Sequence, residues 1–417
     1  MATKKSGKAV RNAAKVVRKA SKKQGGLIVL AVLILLALAV VAVLYFTGHL
    51  NIPGLPSNAG TDGKETTRST NSGEKDSTPP SGESETPKAV VAYDSEDLVI
   101  TFLELGNWYT GDCTFIKAGD ADILIDAGSR LNSVPFIQSV IDTYCTDGSL
   151  EYVIVTHAHQ DHIAGFSPSE NSPQPGIFDL YECKTIIDFA LTNATSQVYS
   201  NYQRELADEV KAGARHMTAA EARQNGVYEF ALSEGITMTI LDSKFYYEKS
   251  SDENNYSVCC LINQGGDRNF LFTGDLEKEG EAALVELNDL PRVNLFKGGH
   301  HGSYTANTDA LLSVVQPDIV CICCCAFSNE YTKTPENMFP AQVAVDRIAK
   351  YTDRVYVTSV SLDNENKTFG PLNGTITVRS QKGKEIVVSC TGEAVPLKDT
   401  EWFRKNRNMP EAWAEAS

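Results

Sequence analysis

The chain has 417 residues, with 38 Lys and Arg against 53 Asp and Glu, and a formal net charge of −15. That length suffices for one large domain with a substantial core. The acidic balance excludes a surface that binds nucleic acid indiscriminately, because phosphate contacts need Lys and Arg to release counterions.

Residues 1–25 carry nine Lys and Arg, from Lys4 to Lys23, and no Asp or Glu. An uncharged run of 20 residues follows, Leu27 to Phe46. At about 1.5 Å per residue it spans about 30 Å, the apolar thickness of a bilayer. The expectation is one N-terminal transmembrane helix over 26–47, a signal anchor. The basic segment stays cytoplasmic and the rest of the chain is extracellular. A cleaved signal peptide fits less well, since the run is too long for its apolar core and Tyr45 to His49 offers no small-residue cleavage site. Residues 48–92 are rich in Ser, Thr, Pro, Gly and Glu and lack aromatic residues, which predicts a disordered linker.

A folded domain is expected over 93–392, with a tail over 393–417. Strand-like apolar runs recur at Leu98 to Leu105, Cys113 to Ile116, Ile123 to Ile125, Tyr152 to Val155, Ile236 to Leu241, Ile319 to Cys325 and Val355 to Val357. Amphipathic helices fall between them. One follows the cap candidate Ser133 with Phe136, Ile137, Val140, Ile141 and Tyr144 as apolar positions, and another runs from Ala341 to Tyr351. Lys384 to Cys390 pairs with Thr375 to Arg379 across Gln381-Lys382-Gly383. The pattern predicts an α/β fold of two sheets packed face to face between helices. Cys321-Ile322-Cys323-Cys324-Cys325 and Cys259-Cys260 lie inside such strands, where thiols behave as small buried hydrophobes rather than metal ligands.

The chemistry concentrates at three strand ends. Thr156-His157-Ala158-His159-Gln160-Asp161-His162 holds three of the chain's seven His. In an extended backbone His157 and His159 point the same way and can share a cation, while Asp161 and His162 turn toward a second. Asn269 to Thr273 leads into Gly274-Asp275, whose carboxylate can bridge two cations. Val293 to Phe296 leads into Lys297-Gly298-Gly299-His300-His301-Gly302-Ser303, where the glycines permit a sharp turn close to a ligand.

With Asp126 in Ile123-Leu124-Ile125-Asp126-Ala127-Gly128, this order of motifs resembles the metallo-β-lactamase superfamily, and the His300-His301-Gly302-Ser303 and Thr273-Gly274-Asp275 elements resemble its ComEC-like branch. Phosphorylcholine esterases are similar. Further landmarks are Ile100 to Gly106 with Gly111-Asp112, Asn254-Asn255-Tyr256-Ser257, Gln316 to Val320 and Asn373 to Val378, so the resemblance covers about residues 97 to 390. The loop Asn107-Trp108-Tyr109-Thr110 is longer than usual in the branch. The implied fold is an αββα sandwich with a metallo-β-lactamase-like hydrolase domain.

The resemblance implies that His157, His159 and Asp275 hold one metal and that Asp161, His162, Asp275 and His301 hold the other. It implies that Asp161, Asp275 and His300 are catalytic, that His300, Ser303 and Asn255 face the substrate, and that Asp126 orients a ligand histidine. His216 is not taken as a ligand. Two divalent metal ions, zinc or manganese, would activate a water and clamp the oxygens of an in-line displacement at phosphorus. The expected partner is a phosphodiester, either DNA or a phosphorylcholine-type substrate. Trp108, Tyr109 and Tyr304 would make an aromatic mouth, and Lys297 with Arg292 a local basic groove. One helix cannot form a channel, so a part in DNA uptake would need a separate membrane channel partner. A non-catalytic surface binding protein is the remaining reading.

Overall fold

The computed structural model describes residues 97–414. The transmembrane helix expected over 26–47 and the linker over 48–92 lie outside the described residues. Among the described residues, no helix is long and apolar enough to cross a membrane.

The strands in chain order are β1 (Leu98–Phe102), β2 (Thr114–Ala118), β3 (Ala121–Ile125), β4 (Ser149–Ile154), β5 (Glu182–Asp188), β6 (Arg215–Thr218), β7 (Glu229–Ser233) and β8 (Ile236–Ile240). They continue as β9 (Cys260–Gln264), β10 (Arg268–Phe272), β11 (Leu295–Lys297), β12 (Ile319–Ala326), β13 (Val355–Asp363), β14 (Thr368–Pro371), β15 (Ile376–Ser380) and β16 (Val387–Cys390). They form two eight-stranded sheets, ordered β16-β15-β1-β2-β3-β4-β5-β6 and β14-β13-β12-β11-β10-β9-β8-β7. The neighbours from β3 to β6 and from β10 to β13 are parallel. Parallel neighbours need crossovers. Helices Val134–Tyr144, Gln197–Ala212, Lys278–Leu287, Asp309–Val315 and Gln342–Ile348 lie in these crossovers.

One core fills the space between the sheets, where Phe102 of β1 and Phe272 of β10 stack at 6.4 Å. A second core lies on the outer face of the β12 sheet. β12 serves both: Ile319, Cys321 and Cys323 face the first core, and Val320, Ile322 and Cys324 the second. A strand buried on both faces has no room for polar side chains, which accounts for the cysteine-rich run. All ten cysteines are free, and nine of them are buried.

Local differences from expectation have packing causes. Ser133 is a poor cap, because its backbone continues a 3-10 turn into the helix and its Oγ instead accepts from Asn107 Nδ2 at 2.9 Å. Phe136 and Val343 turn outward, 45% and 39% exposed, one step round the helix from the buried Ile137 and Ala344. The segment expected as a tail from 393 packs down instead. Leu397, Phe403 and Trp413 enter the second core, and Arg407 donates to the carbonyls of Met338 and Pro340 at 2.7 and 3.1 Å. The C-terminus therefore holds the Ser328–Ala341 connection, one wall of the site.

Candidate metal centre

The C-terminal ends of the parallel strands converge at one end of the sandwich. Asp126 follows β3 directly and His157 comes three residues after β4. Asp275 comes three residues after β10, and the Gly298 turn follows β11. Asp126 takes a left-handed backbone (φ 58) with its N–H on Ile154 O at 2.9 Å. Its carboxylate accepts from Thr156 N at 2.8 Å and Thr156 Oγ1 at 2.7 Å, and faces His162 Nδ1 at 2.7 Å. His162 is thereby oriented so that Nε2 reaches Asp275 Oδ2 at 3.0 Å.

Asp275 needs the glycine before it. Gly274 has φ 54, and a Cβ there would lie 2.8 Å from Ser257 Oγ, the atom that accepts from Asp275 N. His300 and His301 both take left-handed backbones, φ 46 and 54, which non-glycine residues adopt only where the surroundings enforce it. Glu281 contributes to that enforcement. Its buried carboxylate accepts from the N–H groups of Asn307 and Thr308, and the Asn307 amide brackets Gly299 with two 2.9 Å bonds.

The turn drives His301 inward. Its Nδ1 faces Cys323 O at 2.8 Å, and its Nε2 lies 3.1 Å from Asp275 Oδ2 and 3.3 Å from Asp161 Oδ2 without a hydrogen bond. Asp161, in the first turn after β4, accepts at Oδ2 from the Tyr331 hydroxyl at 2.6 Å. His157 Nε2 and His159 Nδ1 stand 3.0 Å apart beside this group. His300 lies at the opening, with Nδ1 3.4 Å from Glu277 Oε1 and Nε2 4.0 Å from Asp275.

The electrostatics call for cations. Burial disfavours charge on both His162 and His301, yet the surrounding carboxylates raise each well above the ordinary imidazole range. Asp275 is held well below the carboxylate range despite burial, by His162, His301 and Lys297. Buried His301 Nε2 and Asp275 Oδ1 have no hydrogen-bond partner, and His162, Asp275 and His301 offer ligand atoms within 4.8 Å of one another. This donor set fits a divalent cation.

Several residues depart from their expected places. Ser303 N is bonded to His300 O at 2.7 Å and Ser303 Oγ to Thr305, so Ser303 presents no spare donor. Asn255 is buried, its Oδ1 accepting from Glu277 N at 3.3 Å. Lys297 does not make a surface groove: it is buried against Asp112 and 3.6 Å from Asp275 Oδ1, while exposed Arg292 pairs with Asp318. Trp108 is 4% exposed and bonded to Ser361, away from the expected mouth, whereas Tyr331 and Phe339 stand at the site, Phe339 5.6 Å from His301. His216 pairs with Asp188 at 2.8 Å.

Sequence reasoning missed Asp112, Tyr331 and Glu277 as members of the site. Asp112 meets His301 from the Nδ1 side at 3.2 Å, away from the Nε2 atoms that converge on Asp275, so it braces the imidazole from behind, with Lys297 as its counter-ion. Two signals were available, the Gly111-Asp112 landmark and Lys297, a lysine ending a strand otherwise fit for full burial.

Two eight-stranded sheets with a buried Asp/His cluster at their strand ends define a metallo-hydrolase fold. Residues 106–169 match the model of the metallo-beta-lactamase superfamily. The chain is thus similar to the metallo-β-lactamase superfamily, and its curated relatives are competence and recombination proteins. It is 24% identical over 253 residues to Recombination protein 2 of Haemophilus influenzae, covering 60% of this chain and 27% of that protein. It is 25% identical over 173 residues to ComE operon protein 3 of Bacillus subtilis, covering 40% of this chain and 19% of that protein. The chain thus spans about a quarter or less of these relatives. Among solved structures, the metallo-beta-lactamase fold protein YhfI from Bacillus subtilis matches at 10% identity and TM-score 0.37, covering 63% of this chain and 96% of that one.

Proposed function

We propose that the protein is a membrane-anchored, extracellular, metal-dependent phosphodiesterase of nuclease-like character. The observation that carries this reading is Asp275 Oδ2, set 3.0 and 3.1 Å from Nε2 of two oriented, buried imidazoles, His162 and His301. Asp161, His162, Asp275 and His301 would hold one cation, and His157 and His159, with Asp275, a second. Bound divalent metals, zinc or manganese, would supply Lewis acidity toward phosphoryl oxygens and an acidified water.

The chain's own residues do the remaining work. Asp126 fixes the ring of His162, and Asp112 and Cys323 O fix that of His301. His300, partly exposed and backed by Glu277 and Thr305, is available to donate from Nε2 to a phosphoryl oxygen. The Tyr331 hydroxyl donates to Asp161 Oδ2 at 2.6 Å and so orients that carboxylate. The Leu27–Phe46 run supports anchoring, with the basic segment inside. A separate membrane channel would be the partner in any DNA uptake. The phosphorylcholine reading is weaker because buried Trp108 cannot join the aromatic mouth it needs.

The test offers single-stranded DNA, bis-p-nitrophenyl phosphate and p-nitrophenyl phosphorylcholine to the metal-loaded chain beside Asp275→Ala. Cleavage of the first two, lost in the variant, supports the reading. Preference for phosphorylcholine moves the protein to the esterase class, and metal binding without hydrolysis of any of them makes it a binding protein.

A further inference from the structure

Beside the metal centre, three loops distant in sequence gather two cations on an aromatic base. Trp108 is buried, its Nε1 donating to Ser361 Oγ at 2.9 Å, and Tyr109 stands edge-on to it at 5.5 Å. The Arg130 guanidinium lies over the Tyr109 ring at 3.9 Å. The Lys367 ammonium lies 4.8 Å from the same ring and 5.2 Å from that of Trp108, and donates to the Tyr109 hydroxyl at 3.1 Å.

The placement is built. Lys367 holds a left-handed backbone, φ 52, in the β13–β14 hairpin. Asp363 of that hairpin is taken up by the N–H groups of Glu365 and Asn366 at 2.7 and 3.0 Å. Among the described residues, no carboxylate stands within ion-pair distance of Lys367. Arg130 does have one, Glu330 at 3.2 Å. Glu330 also accepts from Thr110 N at 2.9 Å, and the next residue, Tyr331, gives its hydroxyl to Asp161. The ledge therefore joins the candidate metal ligands through two consecutive residues, and the Tyr331 ring between them is 52% exposed.

We infer that this ledge is a second phosphate subsite and that the chain threading the site is a single-stranded polynucleotide. This inference rests on the phosphodiesterase reading. Lys367 and Arg130 hold the phosphate next to the scissile one, and the open face of Tyr331 stacks a base. A polyol phosphate polymer would use the cations but leave the ring bare. The acidic surface elsewhere keeps nucleic acid off the rest of the domain, so binding is confined to the ledge.

The test uses the full chain in detergent with chelator present, so that no turnover intervenes, and follows the anisotropy of a short fluorescein-labelled oligothymidylate against salt. Lys367→Ala is expected to raise Kd about fivefold and flatten the slope of log K on log salt by about 0.7, the share of one lost contact to a single strand. Lys367→Arg should restore both. After metal loading, the ratio of oligothymidylate to bis-p-nitrophenyl phosphate hydrolysis should fall in Lys367→Ala. Wild-type Kd and slope in Lys367→Ala would overturn the subsite. A glycerol phosphate polymer that competes as well as unlabelled oligothymidylate would overturn the polynucleotide assignment. Failure of the phosphodiesterase reading is separate: it shows as no hydrolysis of bis-p-nitrophenyl phosphate by the loaded wild type.

Discussion

Asp126 Oδ2 lies 2.7 Å from Nδ1 of His162, on the far side of the ring from Asp275. A carboxylate behind a ligating imidazole fixes its tautomer and strengthens it as a donor. Asp126→Asn should therefore weaken zinc or manganese affinity by about 10–100-fold. Calorimetric titration of the stripped protein measures this, and an unchanged Kd would refute the orienting role.

The buried Lys297 invites a double-mutant cycle. Replacing it with Met strands the Asp112 and Asp275 carboxylates and should destabilise the protein by about 3–5 kcal/mol in denaturant melts. Adding Asp112→Asn should recover a large part of that loss. If the double variant is no more stable than Lys297→Met, the two groups do not act as a pair.

Tyr331→Phe removes a donor from the site without disturbing the ring. Diester turnover should drop by about 10–100-fold, the scale for losing a hydrogen bond that orients a metal-ligating side chain, with metal content retained by elemental analysis. Turnover equal to wild type would make the contact with Asp161 structural only.

Burial pushes the Glu281 carboxyl up to about 7, against an ordinary value of about 4.3. Because its folded pKa is raised, its contribution to stability is complete below about 4.3 and is lost as pH rises through about 7. Glu281→Gln carries no such loss. The melting temperature of the variant relative to wild type should thus climb between pH 4.5 and pH 8, by an amount on the order of 3 kcal/mol in stability. A difference flat in pH would contradict the assignment.

What the sequence revealed follows from what is local. Thr156 to His162, Thr273 to Asp275 and Lys297 to Ser303 each fit on one strand end, so residue spacing alone displays them. Asp112 and Tyr331 reach the site from loops that only the sandwich brings near, while Glu277, two residues past Asp275 at the start of the next helix, turns back toward His300 in a way that spacing alone does not mark. Trp108 and Asn255 were misplaced for the converse reason, since an aromatic or an amide in a loop looks the same whether it faces solvent or is packed beneath its neighbours. The Lys367–Tyr109–Arg130 ledge unites positions 109, 130 and 367, which explains why the sequence shows no basic aromatic stripe.

The most direct measurement is the rate of bis-p-nitrophenyl phosphate hydrolysis by chelator-stripped protein titrated with zinc or manganese, for the wild type and Asp275→Ala. The stripped wild type should be inactive, regain turnover as metal is added, and exceed Asp275→Ala at least about a hundredfold. Full turnover by the stripped protein, or by metal-loaded Asp275→Ala, would contradict a metal-dependent site centred on Asp275.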